Sequence, residues 1–304
     1  MTGKQSTSIH RLNGDKSLNK LQTGLYYILN FINNLFPYSQ LDPALEIRDF
    51  TCDNLTRYWP NLYPQSSPSR KLSDLFWMTL PWPAIKQELK TIRVLDVGCG
   101  SGNYALRLVE WSHHNIAGYT GLDSVNHSNW QQLTQNYSNF QFHQAQAGDI
   151  LSYLPPNINF FISQSAIEHF DRDLLYFEQI RDYIQAGQAN TIQVHLFPSQ
   201  ACLWLYGAHG FRQYTPRAIS KISRLFQPFS YAILFRLGGA AANRLHNNFI
   251  TKPLRRRRED QRNAQPQEYE RLLLAAIQQD MKQRQLSPNF YALVIHSNWR
   301  QRLF

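Results

Sequence analysis

Short apolar, β-branched runs recur along the chain, and most are followed by a stretch with helical spacing. The runs at 92–97, 116–123, 140–144, 159–163 and 191–198 have the length and composition of buried strands. Those at 229–235 and 289–296 add two more, for a sheet of seven. Segments with a 3.6-residue apolar period begin after the first, second and fourth runs, at Ala105, Asn126 and Asp171, and another follows Thr215-Pro216. Strand–helix alternation of this kind predicts an α/β fold with a doubly wound, mostly parallel seven-stranded sheet, its ligand lying across the carboxyl ends of the strands.

The flanks differ in pattern. Residues 1–17 are polar and aperiodic and predict a flexible start. From Leu21, the positions Leu25, Ile28, Leu29, Ile32, Leu35 and Phe36 share one helical face, with Gln22, Asn30, Asn33 and Asn34 opposite. This predicts a helix that packs its apolar side on the core, or lies over a ligand or a membrane surface. Residues 51–70 are rich in proline and aromatics and predict a loop, after which Ser73-Asp74 cap a helical turn. Residues 1–90 thus form an N-terminal helical extension supplying lid or substrate elements. Residues 91–304 form the α/β domain, with a basic, partly helical insertion at 238–288 before the last strand.

Candidate chemistry gathers at the strand ends. Val94-Leu95-Asp96-Val97-Gly98-Cys99-Gly100-Ser101-Gly102 runs from a strand into a glycine turn and then a helix, whose free N–H groups face the turn. A nicotinamide-binding turn has Gly-x-Gly-x-x-Gly spacing. Here the third glycine comes one residue early, and an acidic residue stands two before the first glycine. The Asp-x-Gly-x-Gly-x-Gly pattern resembles the first motif of class I S-adenosylmethionine (SAM) methyltransferases. Asp123 ends the second strand, about 20 residues after the turn, where such folds place a carboxylate on ribose hydroxyls. Asp149-Ile150 matches the family's pair in which the acid takes the adenine amino group and the apolar residue packs on the ring. Gln164 to Phe170, with Glu168-His169, resembles the family's small-molecule and sugar-directed branch, in which the backbone after this strand flanks the methionine part of SAM. The resemblance covers residues 91–200. It implies a SAM-dependent methyltransferase fold with Asp96, Gly98, Cys99, Gly100, Gly102, Asp123, Asp149, Ile150 and Gln164 around the cofactor.

For the chemical step, a histidine near neutrality suits proton removal from an oxygen acceptor. His169 is the first candidate and His209, in the loop Trp204–Pro216, the second. Glu168 orients a histidine or a substrate hydroxyl, or else caps a helix start. Cys52, Cys99 and Cys202 are scattered, and no cluster has metal-ligand spacing, so no metal is expected. The absence of an Asn-Pro-Pro-Tyr-type tetrapeptide argues against amide or adenine methylation.

Charge adds a partner. Of the net +10, residues 240–304 hold 12 basic against 5 acidic groups, including Arg255, Arg256, Arg257 and Arg258. Such a run forms a solvated face, or it suits an anionic membrane or a phosphorylated glycan better than nucleic acid, since no RNA-binding module accompanies it. Scattered cysteines and the lack of a signal segment imply a cytoplasmic protein, peripheral at the inner membrane face at most. The segments 67–77 and 204–214 are similar to methyltransferases of bacterial surface-polysaccharide synthesis. They point to O-methylation of a sugar or glycan precursor; RNA methylation and a SAM-fold scaffold are the alternatives.

Overall fold

The computed structural model describes residues 5–257 and 259–304; Arg258 of the arginine run lies outside them. One sheet organises the chain. Its strands are β1 (Leu45–Asp49), β2 (Ile92–Val97), β3 (Ile116–Asp123), β4 (Phe140–Gln144), β5 (Phe160–Gln164), β6 (Thr191–Pro198), β7 (Ser230–Leu237) and β8 (Phe290–Ser297). They lie in the order β1-β7-β8-β6-β5-β2-β3-β4, and only β8 runs antiparallel to its neighbours. The sheet therefore has eight strands where the sequence pattern predicts seven. The additional strand, β1, pairs in parallel with β7 at the sheet edge, from Leu45 opposite Ala232 to Asp49 opposite Arg236. Its Leu-Glu-Ile-Arg-Asp sequence has two apolar positions among three charged ones, as suits an edge strand.

Alternation along the strands divides the core into two layers. Val94 of β2 faces one layer with Phe160, Val194, Trp77 and Trp82; Leu95 and Val97 face the other with Phe161, Phe177 and Ile180. Because both faces are covered, the strand is a nearly continuous apolar run. The first layer is completed by the helix Pro68–Thr79 and by Tyr269, Leu273 and Ile277 of the helix Pro266–Met281. Flank and insertion thus pack on the same sheet face.

Three local expectations are corrected. The helix Pro68–Thr79 starts five residues before Ser73, with Ser67 as its cap accepting from Arg70 N at 3.3 Å. Ser73 and Asp74 are buried within it, and Asp74 accepts from Tyr104 and Arg107. Residues 5–17 are not loose. Thr7 N donates to Asp173 at 2.9 Å and Gly14 N to Gly210 O at 2.7 Å, forming a strap along one side of the sheet.

Helix α1 (Lys20–Asn34) is turned opposite to its expected packing: Tyr26, Asn30 and Asn33 are buried, while Leu21 is 81% and Ile28 58% exposed. The surface it meets is polar. Tyr26 Oη donates to His209 O at 2.7 Å, Gln213 Nε2 donates to Tyr26 Oη at 3.2 Å, and Arg217 donates to Asn33 O at 2.6 Å.

Candidate active site

The turn after β2 is pinned by Gly98 N and Cys99 N, which donate to Leu122 O at 2.7 and 3.1 Å. Gly98, Gly100 and Gly102 all have positive φ, a backbone that other residues adopt only under strain. At Gly98 space is also decisive, since a Cβ there would stand 2.3 Å from that of Ala166. Asp123, at the end of β3, accepts from Gly100 N at 2.8 Å and Val125 N at 3.0 Å, which ties the second strand end to the turn.

A cleft of about 680 Å³ opens over these strand ends. Gly98, Asp123, Asp149 and His169 line it, together with Leu122, Ser165 and Phe170. The other expected cofactor residues sit elsewhere. Asp96 is 1% exposed beneath the turn, its Oδ2 accepting from Tyr119 at 2.6 Å while Oδ1 has no partner. Burial pushes its carboxyl up to about 7, offset in part by the Tyr119 bond and reinforced by Asp123. Cys99 is buried and its thiol is driven far up by desolvation, so it does not ionise. Ile150 is fully buried in the second core layer and does not line the cleft. Gln164 faces a neighbouring pocket and accepts from Trp77 Nε1 at 2.9 Å. Gly100 and Gly102 shape the turn without lining the cleft.

That second pocket, about 230 Å³, is lined by Ser67, Ser69, Arg70, Glu168, Tyr206 and His209 among others, and shares Ser165 with the cleft. Ser165 holds φ at +52°, a costly value for a non-glycine residue, and its N–H is fixed on Leu196 O at 2.8 Å. The two histidines meet at this junction, with ring centroids 4.6 Å apart.

The strap supplies their partner. Asp15 Oδ2 lies 2.6 Å from His169 Nδ1, and its Oδ1 lies 3.6 Å from His209 Nδ1 while accepting from Gly210 N at 3.0 Å. A carboxylate only accepts, so Nδ1 of His169 carries the proton, and in the neutral ring Nε2 is the nitrogen with the lone pair. Asp15 is held below the usual carboxylate range: burial opposes ionisation, but the Gly210 and His169 bonds outweigh it. His209 is shifted down by burial and by His169, with Asp15 acting against both.

Asp15, His169 and His209 are also a group able to bring three ligand atoms within 4.8 Å of one another, which their sequence separation conceals. Nothing in residues 1–17 marks Asp15 in advance. It reaches the site only because the strap docks on the 209–213 loop.

Glu168 does not open a helix. It sits in the single turn Ile167–His169, and the following helix begins at Asp173. Its side chain is fully buried, neither oxygen has a hydrogen-bond partner, and Oε1 lies 3.9 Å from His169 Nε2. Burial raises its carboxyl to about 7, with His169 the largest opposing influence. Chemically the junction offers an imidazole oriented by a carboxylate, beside a carboxyl able to donate when neutral.

Residues 88–204 match the family model described as a methyltransferase domain. No curated protein matches the chain significantly. Among solved structures, it is similar to the plantazolicin methyltransferase BamL in complex with a triazolic desmethylPZN analog and SAH, with 15% identity over 80% of this chain and 90% of that one and a TM-score of 0.48. It is also similar to a Burkholderia thailandensis 1,6-didemethyltoxoflavin-N1-methyltransferase, with 12% identity over 73% and 78% of the two chains and a TM-score of 0.40. For a SAM dependent methyltransferase from Archaeoglobus fulgidus the values are 17%, 81%, 100% and 0.43. Residues 88–204 are thus a methyltransferase domain, and within it the Asp-x-Gly-x-Gly-x-Gly turn and Asp123 stand at the carboxyl ends of adjacent parallel strands.

Proposed function

We propose that the chain transfers the methyl group of SAM to a hydroxyl of a sugar or glycan precursor. The observation that carries this reading is the pocket beside the cleft, where Ser67, Ser69, Arg70 and the unpartnered Glu168 carboxyl offer hydrogen bonds to a hydroxylated acceptor. The cleft fits SAM. Asp123 and Asp149 provide carboxylates for ribose hydroxyls and an adenine amino group, and Gly98 lets the backbone approach closely.

SAM, when bound, supplies an electrophilic methyl group on sulfur and leaves as S-adenosylhomocysteine. The chain's own part is to orient the acceptor and remove its proton. His169 Nε2 takes the proton of the acceptor hydroxyl, and Asp15 keeps Nδ1–H in place and stabilises the imidazolium. Glu168 hydrogen-bonds the acceptor or the imidazole, and His209 stands as the second base. Arg255 and Arg256 of the basic segment are exposed toward anionic partners, as a phosphorylated or lipid-carried glycan precursor would be.

The test is transfer of label from methyl-labelled SAM into cell extracts fractionated into glycan, RNA, protein and small-molecule pools. Label in the glycan pool, acid-stable as an ether, is expected. Label confined to RNA or to amines overturns the proposal.

A further inference from the structure

We infer that α1, together with Trp204 and the basic helix Lys252–Arg257, forms a docking surface for an anionic lipid bilayer. This goes beyond the acceptor assignment and does not depend on it. Leu21, Leu25, Ile28, Phe31, Ile32 and Phe36 occupy the outer side of α1 and its C-terminal edge, each between 44% and 81% exposed. Scattered exposed apolar residues are ordinary, but a whole helix face turned outward is not. The opposite side of the helix is committed to the polar contacts of Tyr26 and Asn33, so the face is free by construction rather than through loose attachment.

The patch continues beyond the helix. Tyr27 stacks on Trp204, with centroids 5.0 Å apart and ring planes within 8°, and Trp204 is itself 55% exposed. Arg255 donates to Trp204 O at 2.9 Å, which anchors the basic helix against the same edge; Leu254 there is 43% exposed.

Charge selects the occupant. There is no Asp or Glu between Lys16 and Leu41, nor between Tyr183 and Arg257, the two segments that build the surface. Exposed Lys16, Lys20, Lys252, Arg255 and Arg256 belong to them. A second copy of the chain would bring like charges together across the apolar face, which opposes association. An anionic leaflet accepts both features: the Leu/Ile/Phe face enters the acyl boundary, the tryptophan sits at headgroup level, and the lysines and arginines meet lipid phosphates. No helix among the described residues is long and apolar enough to cross the bilayer, so the association is at the surface. Tyr26 couples this helix to the His209 loop, which places the docking element against the acceptor side of the site.

Co-sedimentation of the full chain with phosphatidylcholine vesicles containing about 30% phosphatidylglycerol, against pure phosphatidylcholine, tests the inference. Salt-sensitive binding to the anionic vesicles is expected. The pair Ile28→Glu/Ile32→Glu should weaken it at least about tenfold, since two apolar side chains would be replaced by charges at the acyl boundary. Calorimetric binding of S-adenosylhomocysteine verifies that the variant is folded, and an Arg255→Glu/Arg256→Glu pair provides a second reading through charge alone. No partition of the unaltered chain onto anionic vesicles overturns the inference. So does equal partition of both variants, or a concentration-dependent dimer that the Ile28→Glu/Ile32→Glu pair abolishes.

Discussion

The cleft over the strand ends and the pocket beside it share Ser165 but are built in opposite ways. Apart from Asn13, Lys16 and Phe211, the cleft draws its walls from residues 97–175, where residues at or just after the ends of adjacent strands meet at a common edge. The pocket draws on residues 67–70, 164–168, 198, 206–209 and 290, and its His209, like His169 of the cleft, meets a carboxylate from position 15. A strand end fixes its residue through the sheet register, so a local motif suffices to position Asp123. The pocket has no such frame, and its geometry exists only where a strap, a loop and a helix dock together.

That contrast is open to mutation. His169→Ala should lower kcat by about 10²–10⁴, the range of general-base contributions, with affinity for S-adenosylhomocysteine unchanged. Asp123→Ala should do the reverse, weakening S-adenosylhomocysteine binding by about 10²-fold through loss of a charged hydrogen-bond acceptor. Calorimetry beside steady-state kinetics separates the two, and equal losses of both quantities in His169→Ala would make that residue structural.

Next in size is the pH dependence set by Glu168. Its folded value of about 7 stands above the ordinary 4.5. Its contribution is therefore fully present below pH 4.5 and is lost as pH rises through 7. Compared with Glu168→Gln, the unaltered protein should lose on the order of 3 kcal/mol of stability between pH 4.5 and 8, measured by urea unfolding. A pH-independent difference would mean that the carboxyl finds a partner in solution.

The smallest effect concerns the strap. Asp15→Asn keeps the shape but removes the carboxylate that orients His169, and should reduce kcat about tenfold while KM and S-adenosylhomocysteine affinity hold. Dialysis against EDTA should leave turnover unchanged, because Asp15 and His169 face each other at hydrogen-bond distance, as a base and its orienting partner do. Loss of activity restored by a divalent cation would instead make Asp15, His169 and His209 metal ligands.

Strand periodicity, the glycine turn and the acids at strand ends are short-range properties, and the order of the chain by itself determined them. That is why β2 to β8, the glycine turn after β2 and Asp123 at the end of β3 follow from the sequence. Periodicity also marked α1 as amphipathic, yet it could not say which face meets the protein. The polar loop at 209–217 decided that, by offering hydrogen bonds where a core would have offered packing. β1 escaped because an edge strand needs only two apolar residues, and its partner β7 lies 187 residues further along the chain, Leu45 opposite Ala232. Asp15 escaped for the same reason in another form, since it carries no local signal and gains its role from Gly14 and Gly210 closing the strap onto the loop. Tertiary structure alone decided the pairing of that carboxylate with His169 and His209, because it rests on contacts between segments more than 150 residues apart.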